Sequence, residues 1–306
     1  MKKITLEKNG YIAEILPERG GNCIRAAYPE LKIEALRSAS TEADFEDGPF
    51  FRGTPFLFPP NRIEGGHFTF EGRDYYLPRN EVALNNFLHG EMHTTPFEVI
   101  KQTDSEVILK YKATQNAPYL TFPHAFTATL HYFIDENGIH QKTTIRNDSD
   151  LNMPCAIGFH TTFNVLFMEG QKLGDTTVKL SCGREAERTP EYLPTGKYIE
   201  DTPLQKALNN DGFTLSNDGV SHLYEMTEPR HMILTDKNSG HSVTYTASDG
   251  YLYWMFYQLP GSEFICAEPQ TWISNCPCAP FNREETGFRY LEPNAEMTVE
   301  TVISCN

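Results

Sequence analysis

The feature that most constrains this chain is its side-chain period, which stays near two almost from end to end. Phe97, Val99, Val107, Leu109 and Tyr111 fall on alternate positions about a polar turn in FEVIKQTDSEVILKYKA. HAFTATLHYFIDENGIHQKTTIRN repeats the pattern about Asp135–Gly138, and FTFEGRDYYL does so about Glu71-Gly72-Arg73. ITLEKNGYIAEIL, TTVKL, HMILTD, HSVTYTA, LYWMFYQL, FICAE and EMTVETVI continue it. Alternation rich in β-branched and aromatic residues is the signature of strands with one face on a core. No run of 12 or more residues holds a 3.6-residue period, and only Leu36–Phe45 and Pro203–Asn209 suggest helical turns. The expected fold is all-β, a large antiparallel β-sandwich of two packed, twisted sheets.

No linker, repeat or low-complexity block divides the 306 residues, so residues 1–306 read as one unit. A chain of this size buries about 75% of its unfolded surface and needs no disulfide or metal scaffold. Its seven cysteines are odd in number and dispersed, which points to a reduced, cytoplasmic protein. The formal charge of −15 argues against nucleic acid and anionic membranes as partners. A neutral small molecule needs no electrostatic steering. The stretch Ser38–Arg62, rich in Gly, Pro and acidic residues, is expected to lie outside the core as a long site-forming loop.

Several chemistries lack their motifs. There is no GxGxxG after a strand, no GxxxxGK[ST], no GxSxG and no HExxH. His89 and His93 are four residues apart in LHGEMH, but Gly90 and the following Thr and Pro favour a loop with one functional histidine over a helical metal pair. Cys276-Pro277-Cys278 has no second close pair and reads as loop cysteines rather than zinc ligands. Three other residues stand out. Glu268 closes the apolar run Phe264–Ala267 immediately before Pro269, where a buried carboxylate needs hydrogen bonds, a cation or a chemical task. His160 closes the apolar run Cys155–Phe159 and is followed by two threonines that can fix its tautomer. Arg62 follows the proline-stiffened PFLFPPN and carries five donors suited to a polyol or carboxylate, a surface ion pair being its alternative use.

Taken together, NRIEGGHFTFEGRDYYLPRN, NNFLHG, GFHTTFN, FICAEPQTWISNCP and GFRYLEPNAEMTVE resemble, in order and separation, the segments of the aldose 1-epimerase (galactose mutarotase) superfamily. The resemblance spans nearly the whole chain and is that of a divergent member. LHGE stands where the family has LHGG, so galactose specificity does not follow. It implies a sugar cleft on one sheet, His160 and Glu268 as the catalytic pair, and Arg62 and His89 as hydroxyl ligands. The family's aspartate falls in LNNDGFTL, where Asn210 holds the expected place and Asp211 lies one residue on; Asp211 is assigned as the ligand, by a shifted register or a different hydroxyl contact. The implied reaction interconverts α and β anomers of an aldohexose. Glu268 acts as base on the C1 hydroxyl and protonated His160 as acid on the ring oxygen, with neither cofactor nor metal.

Other readings remain open at this point. A hexose 6-phosphate epimerase would need a cationic clamp, with Arg73, Arg79 or Arg184 as candidates. A non-catalytic carbohydrate-binding protein could keep the fold. A glycoside hydrolase would need a second carboxylate beside Glu268, and a cupin-like metal isomerase a tighter histidine cluster.

Overall fold

A computed structural model describes residues 1–46 and 48–306. Two large antiparallel sheets dominate it, as the alternation predicts. One has nine strands in the order Glu98–Gln102, Glu106–Ala113, Phe126–Asp135, Gly138–Asn147, Glu296–Cys305, Ser242–Ala247, His231–Asp236, Thr176–Leu180 and Phe213–Thr214. The other has eight: Pro194–Ile199, Cys182–Arg188, Val220–Met226, Tyr253–Gln258, Phe264–Gln270, Gly158–Phe159 and Phe56–Leu57 in sequence, with Thr162–Asn164 also pairing the Phe264–Gln270 strand. A four-stranded sheet from Ile4 to Glu34 lies beside them. Among the described residues no helix is long and apolar enough to cross a membrane.

The period-two reading translates directly into burial. In Glu296–Cys305, Met297, Val299, Thr301, Ile303 and Cys305 are buried while their neighbours are not. Tyr245 of the nine-stranded sheet packs its ring against Trp254 and Phe163 of the eight-stranded one, joining the two inner faces. Its hydroxyl also meets the Thr161 hydroxyl at 2.8 Å, tying the far sheet to the residue beside His160. The short helix Pro203–Asn209 and the 3₁₀ turn Glu42–Phe45 fall where helical turns were expected, and a further turn of helix at Arg283–Thr286 escaped the sequence reading.

One expectation needs correcting. Much of Ser38–Arg62 is core: Gly53–Asn61 is buried throughout. Its backbone finds partners in the strand segment around His160, with His160 N–H donating to Pro55 O at 3.0 Å and Thr162 N–H to Gly53 O at 2.9 Å. Gly53 makes this approach possible. Its φ is +68°, and a Cβ there would sit 2.4 Å from both Asn22 Oδ1 and Cys23 O. Composition marked the segment as loop; long-range backbone pairing places it inside.

The Tyr245–Thr161 bond generates a stability test. Tyr245→Phe strands a buried threonine hydroxyl, at a cost of about 1–2 kcal/mol. Urea unfolding of the variant should show a lower midpoint with an unchanged slope. An unaltered midpoint would mean that the bond contributes nothing.

Candidate active site

The Phe264–Gln270 strand is buried at every position, so both its faces are covered. Ile265 and Ala267 belong to the core between the sheets, while Glu268 lines a cavity on the other side. The sequence suggests a strand ending at Glu268, before Pro269; it runs on through Pro269 to Gln270. Ala267 and Thr271 donate to Thr161 and Ile157 respectively, and Pro269, which has no donor, occupies the position between them. The neighbouring ladder is interrupted there, so no hydrogen bond is lost.

That interruption positions the two central side chains. Thr162 pairs with Cys266, and Gly158 with Gln270. Carrying the same register through the gap sets His160 opposite Glu268, on the same face of the sheet. Their side chains meet, His160 Nε2 lying 3.2 Å from Glu268 Oε1, with 5% and 2% of the two residues exposed. Residues 108 apart in sequence thus become a cross-strand pair.

A chain of amides fixes the carboxylate. Gln270 Nε2 donates to Glu268 Oε2 at 3.3 Å, Asn61 Nδ2 to Gln270 Oε1 at 3.0 Å, and Arg62 N–H to Asn61 Oδ1 at 3.0 Å. Arg62 lines the cavity and also makes an ion pair, its guanidinium donating twice to Glu81 at 2.8 and 2.6 Å. The ion pair weighed for it in sequence is thus present, on a side chain that also borders the cavity. His89 lies in a loop at φ +61°, and its Nδ1 accepts from Asn61 N–H at 3.1 Å. Neutral His89 is thereby the Nε2–H tautomer, leaving Nε2–H as a donor for a ligand.

His160, Glu268, Arg62 and His89 all border one cavity of about 580 Å³. Asp211 does not. It sits exposed after the Pro203–Asn209 helix, where the chain turns to join the edge of the nine-stranded sheet through Phe213–Thr214. Asn210 is exposed in the same turn. The acid that does reach the cavity is Asp218, seven residues on. Arg73, Arg79 and Arg184 are absent from its wall, and Arg184 is bound to Glu225.

Sequence reasoning missed several wall residues. Phe50 and Phe51 come from the Ser38–Arg62 segment and close over His160, each ring centroid 5.6 Å from the imidazole. Two adjacent phenylalanines in an otherwise polar, Gly- and Pro-rich stretch were the available signal. Met255 and Tyr257 alternate with the core residues Trp254 and Phe256. A strand that is apolar on both faces needs a cover on each, and LYWMFYQL shows this in sequence.

Electrostatics follow from the enclosure. Burial pushes Glu268 up to about 8, with Arg62, the Gln270 hydrogen bond and Arg188 opposing the rise. Burial also pushes His160 down to about 3 and holds His89 well below its ordinary value. Desolvation disfavours both the carboxylate and the imidazolium, so the empty pair rests in its neutral form, proton on Glu268. His89, His160 and Glu268 also offer ligand atoms within 4.8 Å of one another, a two-histidine, one-carboxylate set of a kind that divalent transition metals use.

The sequence matches the aldose 1-epimerase family over residues 2–304. The Escherichia coli K12 protein YphB is 21% identical over 276 residues, covering 87% of this chain and 86% of that one. Among solved structures, a galactose mutarotase-like protein from Clostridium acetobutylicum is 28% identical, with a TM-score of 0.94 over 99% of this chain and 95% of that one. Galactose 1-epimerase from Lactobacillus acidophilus shares the fold, with a TM-score of 0.73 at 15% identity over 99% and 94% of the two chains.

The enclosure makes a spectroscopic prediction. His160 should stay neutral from pH 5 to pH 8 in the ligand-free protein, because its value lies near 3. Imidazole nitrogen shifts measured by NMR across that range should not move. A titration centred near the ordinary value of about 6.5 would show that the pocket is wetter than its burial implies.

Proposed function

This chain belongs to the aldose 1-epimerase family, and from that premise we propose that it interconverts the α and β anomers of an aldose through His160 and Glu268. The observation that carries the reading is the cross-strand pair itself: one acid and one base, 3.2 Å apart, on the floor of a cavity that admits a sugar. Opening a hemiacetal ring needs a proton taken from the C1 hydroxyl and another given to the ring oxygen. One shared proton between two groups suffices for both.

The resting proton on Glu268 must first cross to His160. A bound sugar favours this transfer. Its C1 hydroxyl donates to the carboxylate, its ring oxygen accepts from the imidazolium, and the Arg62 charge acts on Glu268 in the same direction. Glu268 then takes the C1 hydroxyl proton as His160 protonates the ring oxygen and the C1–O5 bond breaks. The open aldehyde rotates about C1–C2 and closes on its other face with both transfers reversed. His89 Nε2–H and Arg62 hold hydroxyls so that the open chain is kept in place. Asp218 replaces Asp211 as the acidic residue available to a hydroxyl.

An uncharged sugar suits the wall better than a hexose 6-phosphate. Among the described residues Arg62 is the cation bordering the cavity, and its charge is paired with Glu81 through Nε and Nη2. Asp218 adds a negative charge to the same wall, which disfavours a phosphate.

Two outcomes test the proposal. Glu268→Gln keeps the size of the side chain and its amide contacts but removes the proton-transfer group. Mutarotation followed by polarimetry should fall roughly 100–10,000-fold, about 3–5 kcal/mol in barrier, with sugar binding retained. Near-normal rates in a folded variant would reject Glu268 as the base.

The pH profile is the second. The reactive enzyme carries one proton on the pair, so catalytic efficiency rises as a second proton leaves, near pH 3, and falls as the last one leaves, near pH 8. A histidine in water would put the alkaline fall near 6.5; burial moves it upward. Buffer-corrected kcat/KM should therefore be flat from about pH 5 to 7 and decline around 8. A decline centred near 6.5 would contradict this sharing of the proton.

A further inference from the structure

We propose that Asn61 and Gln270 are positioning residues for the proton transfer: they keep Glu268 Oε2 an acceptor and so confine the exchangeable proton to Oε1, facing His160. The inference rests on the anomer-interconverting reading and adds the residues that organise its first step. It begins with the polarity of the amide chain. The Arg62 N–H is a backbone group and can only donate. Asn61 Oδ1 accepts from it at 3.0 Å, which leaves Asn61 Nδ2 to donate to Gln270 Oε1 at 3.0 Å. Gln270 is committed in turn and presents Nε2 to Glu268 Oε2 at 3.3 Å. Turning Gln270 over would set its Nε2 against Asn61 Nδ2. Turning Asn61 over would set Nδ2 against the Arg62 N–H.

The surroundings hold this polarity in place. Asn61, Gln270 and Glu268 are 3%, 0% and 2% exposed, so water offers a reversed amide no alternative partner. The backbone on either side of Asn61 is fixed from the segment that follows the Glu268 strand. Trp272 Nε1 donates to Pro60 O at 2.8 Å, and Asn275 N–H to Arg62 O at 2.7 Å. Asn61 itself has a φ of +62°, in the left-handed region that Asn and Asp tolerate better than most residues. Gly158 pairs with Gln270, and a Cβ there would sit 2.6 Å from Pro60 Cβ and 3.3 Å from Gln270 Cγ. Its missing side chain lets Pro60 and Gln270 approach the strand together.

The consequence falls on the two carboxyl oxygens. Oε2 receives the Gln270 N–H and is the place for the carbonyl oxygen, whereas Oε1 lies 3.2 Å from an acceptor, His160 Nε2. The neutral acid therefore carries its hydrogen on Oε1, aimed at the imidazole. Transfer breaks the Oε1–H bond and forms an Nε2–H bond along that line, with no rotation of the carboxyl group. Neutral His160 carries its own hydrogen on Nδ1, a buried atom with no hydrogen-bond partner among the described residues. Nothing at Nδ1 stabilises the imidazolium once it forms, so it stays a strong acid toward the ring oxygen. Gln270 meanwhile supports the carboxylate left behind.

Two variants test the assignment. Gln270→Met keeps the side-chain length and removes the donor. Asn61→Asp suits the same backbone and still accepts from the Arg62 N–H, but it attracts Gln270 Nε2 and turns that amide over. Each should lower kcat for mutarotation roughly tenfold or more with KM nearly unchanged. Each should also move the alkaline fall of kcat/KM upward from near pH 8 by about one unit, because the carboxylate has lost a donor. Infrared difference spectra give a readout independent of turnover. At about pH 6, where exposed carboxylates are ionised, the protonated-carboxyl stretch that Glu268→Gln removes should shift to higher frequency in both variants. Circular dichroism checks folding, and either folded variant carries the test. A stretch and an alkaline fall that stay in place would overturn the assignment, even where activity is lost. Absence of the stretch from the wild-type protein would overturn it too. If the wild type turns over no aldose while the stretch still shifts in the variants, the anomer reading fails and the proton assignment stands.

Discussion

The site depends on the double burial of one strand. Phe264–Gln270 has the sandwich core on one face and the cavity on the other, and Glu268 points to the cavity side. A carboxylate so placed loses most of its hydration, which in an unprepared site costs several kcal/mol. The chain answers with neutrality and amides. Gln270 and Asn61 pass a line of hydrogen bonds to Glu268, and the proton is retained instead of the charge. Enclosure that would be a defect in a structural carboxylate is what makes proton exchange with His160 accessible. Hydrated, the two groups would settle as a stable ion pair.

Arg62 shows how the cavity keeps a cation without becoming an anion trap. Its ion pair with Glu81 fixes the guanidinium plane and offsets part of its charge at the wall. The same guanidinium still supports the Tyr192 ring and lowers the cost of ionising Glu268. Removing Glu81 would therefore disturb three things at once: ring support, carboxylate electrostatics and the neutrality of the wall. The overall charge of −15 plays no part in this, because a neutral sugar reaches the site without steering.

Some of this was legible in the sequence and some was not, for physical reasons. The strands were legible because alternation is a local consequence of one-sided burial, as in Phe126–Asp135 and Glu296–Cys305. Glu268 was legible because a carboxylate inside an apolar run has few structural uses, and His160 because its run ends in the same way. Their register was not legible, since it depends on a ladder that stops and resumes across another segment. Gly53–Asn61 looked like loop because its prolines and glycine prevent a regular strand; long-range partners bury it nonetheless. Asp211 was misplaced for a similar reason. The helix before it and the edge pairing after it carry it to the other sheet, while Asp218 reaches the cavity through a strand start that has no strong local signature.

Phe50 and Phe51 connect the buried segment to the chemistry. Gly53–Leu57 is fixed against the His160 strand by backbone hydrogen bonds, so the two rings just before it have little choice but to lie over the imidazole. They exclude water from the side of the pair that the sheet does not cover. The loop that supplies this cover thus sets the proton balance of residues it does not hydrogen-bond through its side chains. Loosening it would hydrate His160 and Glu268 together, drawing their values back toward those of free side chains and favouring the imidazolium–carboxylate ion pair at rest. The fold therefore determines more than the positions of acid and base. By placing an apolar pair above them it also determines which form of the pair waits for the sugar.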